Sequence, residues 1–475
     1  MSFARHFEAP LGRGALPDAP HAGAAGGGAC GDLIRVAVRV EGDRIAEAGY
    51  EVSGCGAVQA AGSAVVELVE GTSVLEGAMI DASRVSDALG GLTPAKRHAA
   101  DLAADAFHRA LGTAARDGAL SLSASGRRTL VAMSGGVDSA AAAQLALDAG
   151  DEVVAVTLEL WADPATDGEK SCCSPQAVTG ARSLAQRMGI PHFTLDVRDR
   201  FREQVVDDFL AGYGAGRTPN PCVRCNGFVR FDAMLDLAAS LGAARLATGH
   251  YARVGRDGEG ALVRAAVDPR KDQSYMLARL GSEQLERLSF PLGGLHKPAV
   301  RELARDAGLP VADKRESQDL CFLAGSGRRA FMRRHGGRSL AAVAGEIVDS
   351  RGSVLGRHDG HHEFTIGQRR GIGVGGGEPL YVLAKDAAKN RVVVGSREEL
   401  ARDRVQLGEV TLHRPFERVR AARLRYRSEP IACRAVERAG GVELELERPA
   451  QAVAPGQVAC LMDGELVVGC GTIED

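Results

Sequence analysis

A six-residue string, Ser134-Gly-Gly-Val-Asp-Ser139, restricts the fold of this chain more tightly than any other part of it. The apolar run Thr129-Leu-Val-Ala-Met133 leads into it, and a helix-like stretch (140–147) and a second apolar run (152–160) follow. That order reads as strand, glycine loop, helix, strand. Such a loop gathers backbone N–H groups and the positive end of a helix at one point, where a phosphate can sit. Its glycines allow close approach to the backbone, and Ser134 and Ser139 add hydroxyl donors. No Gly-Lys-Ser/Thr follows and no G-x-G-x-x-G is present, so neither the Walker loop nor the dinucleotide fingerprint applies. A tight turn capped by Ser134 is the plainer alternative, but it requires only one of these residue types.

Downstream segments continue the pattern. Helix-period stretches at 176–188, 200–211 and 231–241 alternate with strand candidates at 192–197 and 244–248. This predicts an α/β, parallel, doubly wound domain with helices on both faces of the sheet. From about residue 345 the texture changes to short β-rich segments broken by Gly and Asp, such as Pro379-Leu-Tyr-Val-Leu383 and Arg391-Val-Val-Val394, which fits small β-rich domains. Ahead of the loop, 116–126 is mostly small and polar and reads as a linker. The expected division is 1–115, the linker 116–126, 127–330, 331–400 and 401–475.

A chain of 475 residues, 45% hydrophobic and 25% charged, has length for about three cores. Its apolar runs are too short to cross a bilayer and residues 1–10 lack a signal-peptide core, so a cytoplasmic protein with no membrane partner is expected. The ten cysteines include Cys172-Cys173, Cys222-x-x-Cys225 and isolated Cys30, Cys55 and Cys321. In a chain of this size they indicate reactive or metal-binding thiols rather than a secreted disulfide framework. A net charge of −3 leaves nucleic-acid binding open, because phosphate contacts need local cation clusters rather than a basic total. Arg328, Arg329, Arg333 and Arg334, the pair Arg369-Arg370, and the series Arg418, Arg420, Arg423, Arg425 and Arg427 are such clusters; a solvated surface is the bland reading of each.

Five further blocks narrow the reading. They are Gly216-Arg-Thr-Pro-Asn-Pro-Cys-Val-Arg-Cys-Asn226, Ala247-Thr-Gly-His-Tyr-Ala-Arg253, Lys271-Asp-Gln-Ser-Tyr-Met-Leu277, Ser317-Gln-Asp-Leu-Cys-Phe322 and Phe364-Thr-Ile-Gly-Gln-Arg-Arg-Gly-Ile372. The loop resembles that of the PP-loop ATP pyrophosphatases, and the blocks, in this order, resemble the tRNA 2-thiouridylase (MnmA-type) family from about residue 127 onward. The resemblance implies a C-terminal β-barrel, ATP and Mg2+ as cofactors, and tRNA with its wobble uridine as the partner. It also implies a sulfur donor such as a cysteine desulfurase or relay protein. By the same matching, Cys225 is the nucleophile and Cys321 carries the persulfide sulfur. Ala132, Met133, Ser134, Gly135, Gly136, Val137, Asp138, Ser139, Leu158 and Gly249 line the nucleotide site, with Asp138 toward magnesium. Asn220, Pro221 and Cys222 meet the target base, and His250, Lys271, Asp272, Gln273, Arg425, Tyr426 and Gln457 contact tRNA. The rival readings are an amide-forming PP-loop synthetase and a non-catalytic sulfur or cluster carrier.

One departure falls at the centre of the site. Where that family's best-known members carry an acid, this chain has Cys222, so Cys222, Cys225 and Cys321 make a three-thiol set suited to a 4Fe–4S cluster with one open iron. A second resemblance covers residues 3–115. Phe3-Ala-Arg-His-Phe-Glu-Ala-Pro10, Cys30-Gly-Asp32, Gly54-Cys-Gly56 and Lys96-Arg-His98 resemble the iron–sulfur scaffold (IscU/NifU-type) family, an α+β domain. Its ligand set maps onto Cys30, Asp32, Cys55 and His98, with Ala99 where a third cysteine belongs. A zinc or iron site of four donors, or a degenerate docking domain, is then expected in place of a three-thiol cluster site.

Overall fold

The structure is a computed structural model that describes residues 3–14, 21–26, 31–163, 174–315, 320–375, 378–438 and 441–474. At its centre is a five-stranded parallel sheet, in the spatial order Leu288–Ser289, Ala243–Thr248, Ser125–Ala132, Glu152–Glu159, His192–Asp196. The strand Glu152–Glu159 is buried at every position after the first, which is why the sequence shows a continuous apolar run rather than alternation. Val131, Val153, Ala155 and Ala247 pack with Val137 and Ala140 of helix Val137–Asp148, Leu184 of Pro175–Arg187 and Ala304 of Lys297–Asp306. Their neighbours Leu130, Val154, Val156 and Leu246 share a second core with Met234 and Leu237 of helix Phe231–Ser240. Ser125–Ala132 is the first strand of this sheet in the chain but stands in its middle. The chain fills one side of it and then the other, so a topological switch point opens beside it, where α/β sheets bind ligands.

The N-terminal domain is an antiparallel sheet, His21–Gly26, Leu33–Glu41 and Arg44–Ser53, packed against helices Gly56–Val69 and Arg97–Arg116. The stretch read as a linker is held in place at several points. Helix Arg97–Arg116 runs into it, Leu120 is buried, and the N–H groups of Ser121, Leu122 and Ser125 donate to the carbonyls of Gly42, Ser240 and Gly242. Small polar residues thus serve as a tightly bonded strap here. The same apolar core runs through both domains, from Ile34, Val65 and Phe107 to Leu130, Val156 and Phe193.

Beyond residue 340 the β texture resolves into two bodies. Val354–His358, Gly345–Asp349, Arg391–Gly395 and Tyr381–Asp386 form a four-stranded sheet. Ala401–Leu412, Gly441–Gln451, Ile431–Arg438, Ala421–Arg423, Val458–Asp463 and Leu466–Ile473 follow one another around a six-stranded barrel that closes by pairing its last strand with its first. Closure removes the exposed edges that a short sheet would leave. The barrel also grips the hairpin Arg253–Asp257 and Gly260–Arg264, where buried Arg414 donates to Asp257 at 2.6 Å.

Candidate active site

The glycine loop lies at the switch point. Gly135 has φ +69°, a left-handed conformation that favours glycine, and Gly136 caps the helix that begins at Val137. Ser139 Oγ accepts from the Ser134 N–H at 3.1 Å, lies 3.3 Å from Ser134 Oγ and donates to the Gly136 carbonyl at 3.0 Å, so both hydroxyls brace the loop. Ala132 and Met133 end the strand, and Thr157 Oγ1 ties the Met133 carbonyl to the neighbouring strand at 2.7 Å. Gly249, just past Ala243–Thr248, lies against the Asp138–Ser139 backbone: a Cβ there would stand 2.8 Å from Ser139 N. Leu158, buried, is next to last in its strand, on the same edge of the sheet.

Two lysines that the sequence reading passed over reach this loop. Lys297 Nζ is 2.6 Å from Asp138 Oδ1, which also accepts from Tyr251 Oη at 2.8 Å, and Lys314 Nζ donates to the Gly135 carbonyl at 2.9 Å. One helix places both. Lys297 opens Lys297–Asp306 and its backbone N–H donates to Asp268 at 3.0 Å; one turn on, Arg301 donates to the carbonyls of Ala312 and Lys314. The only hint in the sequence was His296-Lys-Pro298, a helix start with proline in its first turn. Nothing local links it to a loop some 160 residues earlier.

The thiols stand on separate elements. Asn220 Oδ1 accepts from the Val223 N–H at 3.2 Å and Pro221 begins the short helix Pro221–Cys225, which passes into a wider π-type turn, Asn226–Arg230. Such turns recur at functional sites because they re-aim side chains. Cys225 is buried and Cys222, one turn earlier, is half-buried. Cys321 is held by its neighbour Phe322, whose ring lies 5.9, 5.1 and 5.0 Å from Phe201, Phe209 and Phe331. Cys225 belongs to the main core and Cys321 packs against it. The block containing Cys321 begins in 316–319, and those residues, like Cys172 and Cys173, lie outside the described set.

The residues matched to tRNA contact divide into two groups. Arg425 is exposed on a turn closed by Ser428, and Tyr426 lies 6.1 Å from the Tyr275 ring with the Arg427 guanidinium 5.2 Å from its centre. Lys271 is partly exposed. Asp272, in contrast, is buried: it accepts from the N–H groups of Ala266 and Ser274, from Ser274 Oγ, and from Arg423 at 2.6 Å. It fastens the barrel to the α/β domain through Arg423. Gln457 makes a similar fastening by donating to the Thr218 carbonyl at 2.6 Å, and Gln273 Oε1 accepts from the Tyr251 N–H at 2.9 Å. Burial and nearby Arg230 push His250 down to about 3, so its imidazole, 2.8 Å from Thr248 Oγ1, is neutral. The arginine clusters are also partly spent on structure: Arg328 bonds Tyr213, Thr365 and the Glu363 carbonyl, and Arg334 pairs with Asp163 at 2.8 Å.

In the N-terminal domain, buried Asp32 accepts from the Cys55 N–H at 2.8 Å and faces His98 Nε2 at 3.2 Å, with Lys96 Nζ 4.0 Å from Cys55 Sγ. Among the described residues, Asp32, Cys55 and His98 are the only three His, Cys, Asp or Glu residues whose donor atoms all lie within 4.8 Å of one another. Cys30 lies outside the described residues, and Ala99 is fully buried.

A glycine loop at the switch point of a parallel sheet, with two lysines on it and a β-barrel docked behind, defines a PP-loop α/β nucleotide enzyme joined to a second, scaffold-like domain. The comparisons with known proteins agree. Family models match four regions: tRNA methyl transferase HUP domain at 127–325, NifU-like N terminal domain at 2–116, tRNA methyl transferase PRC-barrel domain at 330–396 and aminomethyltransferase beta-barrel domain at 409–473. The "Bifunctional protein NifU/MnmA" of Rubrobacter xylanophilus is 45% identical, covering 98% of this chain and 97% of that protein. The "tRNA-specific 2-thiouridylase MnmA" proteins of Acidithiobacillus ferrooxidans and Chloroflexus aurantiacus are 45% and 46% identical, covering 73% and 72% of this chain and 98% and 97% of theirs. The chain belongs to the NifU/MnmA family.

Proposed function

We propose that this protein is an ATP-dependent tRNA sulfurtransferase that adenylates the 2-oxygen of the wobble uridine and replaces it with sulfur, giving 2-thiouridine. The observation that carries the reading is one chain with a phosphate loop flanked by Lys297 and Lys314 and with Cys225 and Cys321 on one core. Uridine's 2-carbonyl is a poor electrophile. Attack of its oxygen on the α-phosphorus of ATP expels pyrophosphate and turns that oxygen into part of a good leaving group, AMP. The loop N–H groups and the two ammonium groups oppose the charge that grows on the departing pyrophosphate. Asp138 would hold magnesium through carboxylate oxygen, a hard donor suited to that ion.

A sulfur nucleophile held by Cys225 and Cys321 then attacks C2, and AMP leaves with the original oxygen. One route uses a 4Fe–4S cluster held by Cys222, Cys225 and Cys321, for which three thiolates are the right donors. When bound, it would offer an open iron to inorganic sulfide. The route needing only two thiols starts with a persulfide on Cys321. Its outer sulfur attacks C2, and Cys225 thiolate then attacks the S–S bond, releasing 2-thiouridine and leaving a disulfide for a thiol reductant to reopen. The sulfur source is a cysteine desulfurase or a relay protein.

The exposure of Arg425 and the partial exposure of Tyr426 and Lys271 support a role for them in holding phosphates and unstacked bases, since the wobble base has to leave its stack to be modified. A tRNA substrate supports a cytoplasmic reaction. Among the described residues no helix is long and apolar enough to cross a membrane. In the N-terminal domain Asp32, Cys55 and His98 make a mixed donor set that suits one zinc or iron ion, and the family resemblance assigns Cys30 as a fourth donor. An amide-forming synthetase would have no role for Cys225 and Cys321, and a simple carrier none for the loop. Adding ATP, tRNA and a sulfur donor tests the reading: one pyrophosphate and one AMP per 2-thiouridine are expected, and sulfur insertion without ATP cleavage would refute it.

A further inference from the structure

Helix Arg97–Arg116 belongs by sequence to the N-terminal domain, yet it packs along His192–Asp196, the edge strand of the parallel sheet. At Gly112 the approach is so close that a Cβ would stand 2.1 Å from the Thr194 carbonyl oxygen. The helix therefore covers a sheet edge that would otherwise invite pairing. Charged side chains cross the same boundary. Asp105 accepts from Arg182 Nη2 at 2.6 Å and from Arg109 Nε at 2.9 Å, and Arg109 Nη2 lies 3.4 Å from Glu159 Oε1. Arg182 and Glu159 are both buried. Burial pulls the Asp105 carboxyl up, but the Arg182 and Arg109 guanidiniums outweigh it and hold it below the usual carboxylate range. Glu159 is raised by burial in spite of Arg109. Gln186 Nε2 donates to the Ile80 carbonyl at 3.2 Å, and the His192 N–H donates to Ala78 at 3.3 Å.

The partners on the catalytic side sit at the nucleotide cleft. Glu159 is the residue after Leu158, at the carboxyl end of its strand, where such sheets bind ligand. Arg182 rides on Pro175–Arg187, and another part of that helix backs the glycine loop. Ala181 N and Ala177 O lie 3.5 and 3.6 Å from where a Cβ on Gly135 would stand. A displacement of this helix therefore reaches the phosphate loop directly. Thiouridylase relatives without the fusion align to only 73% of the chain, so this support is a device of the fused protein.

We propose that the N-terminal domain is a fixed wall of the nucleotide site, in which Asp105 and Arg109 are positioning residues that act on the loop and cleft through Arg182 and Glu159. This rests on the ATP-dependent reading above. Removing Asp105 strands the Arg182 charge in a buried place, and a buried charge without its counter-ion moves toward water and takes its helix with it.

The test uses the full chain. Asp105→Asn, Asp105→Ala, Arg182→Ala and the exchange Asp105→Arg with Arg182→Asp are compared for equilibrium binding of a non-hydrolysable ATP analogue, and for KM and kcat of tRNA-dependent pyrophosphate release. The single alanine variants are expected to weaken ATP binding about tenfold, with kcat within about twofold and tRNA affinity unchanged, and the exchange to recover most of the loss. Gly112→Ala, whose methyl has to displace Thr194, is an independent probe and should raise KM for ATP in the same sense. Unchanged analogue binding together with a lowered melting temperature would make the contact structural only and overturn the proposal. A wild-type chain that binds the analogue but releases no pyrophosphate with tRNA would refute the sulfurtransferase reading instead, because analogue binding still reports on the wall.

Discussion

The molecule carries two sets of sulfur-bearing residues, and they are built in opposite ways. In the N-terminal domain, Asp32, Cys55 and His98 already converge within 4.8 Å, braced by the Cys55 N–H on Asp32. In the catalytic domain, Cys222 and Cys225 share a five-residue helix, while Cys321 comes from a separate segment anchored by Phe322. A cage for one ion has to be assembled at rest, because each donor left waiting costs desolvation without a bond. Thiols that receive and pass on sulfur can instead come from separate elements that share only the surrounding core.

The sharpest way to break that contrast is to remove one thiol of the second set. Cys225→Ala and Cys321→Ala should each lower 2-thiouridine formation to background, measured by nucleoside analysis of the tRNA, while pyrophosphate release persists in Cys321→Ala. Substantial thiolation in either variant would dissolve the site. Next in size is the loop: Lys297→Ala should slow pyrophosphate release about a hundredfold, with Lys297→Arg recovering part of it, since a single preorganised charge at a developing anion has about that effect. A change confined to tRNA affinity would remove Lys297 from the nucleotide site.

Smaller, but decisive between the two sulfur routes, is Cys222→Asp. If Cys222 binds iron, aspartate is a harder, weaker ligand, and sulfide-driven turnover should fall several-fold with loss of visible absorbance. Improved turnover with a persulfide donor and an unchanged spectrum would favour the two-thiol route. A pH effect is expected at the domain boundary. Buried His108 donates to the Ile80 carbonyl at 2.6 Å, and burial lowers its pKa to about 3 from an ordinary value of 6.5. The unfolded chain then takes up the proton first, so stability should fall by about 1.4 kcal/mol per pH unit from this one group as pH drops below ~6.5. His108→Gln should flatten that slope in urea titrations at pH 7 and 5.5; an unchanged slope would remove His108 as its source. The least effect on turnover belongs to the first set: Cys55→Ala should lower bound zinc or iron yet leave sulfide-driven thiolation within about twofold, the outcome expected of a site away from the chemistry.

What the sequence disclosed follows from where the information lies in the chain. The glycine loop, its two flanking strands and the helix after it are contiguous, so residues 129–160 announce both fold and phosphate site. Lys297 and Lys314 reach that loop only through tertiary packing, and a lone lysine carries no local signature. The bonds of Asp272 were likewise hidden: its carboxylate accepts from Arg423 and Ser274 at the seam with the barrel, a demand set by the fold rather than by neighbours in sequence. The strap at 116–126 has linker composition because small residues also suit close backbone docking.

Adenylation of the uridine oxygen sends that oxygen away on AMP, and an oxygen label follows it. An anticodon stem-loop RNA with 18O at the 2-position of the wobble uridine, incubated with the protein, ATP and a sulfur donor, should yield one 18O-labelled AMP for each 2-thiouridine and unlabelled pyrophosphate. Label appearing in water or pyrophosphate, or 2-thiouridine formed without labelled AMP, would rule adenylation of the uridine oxygen out.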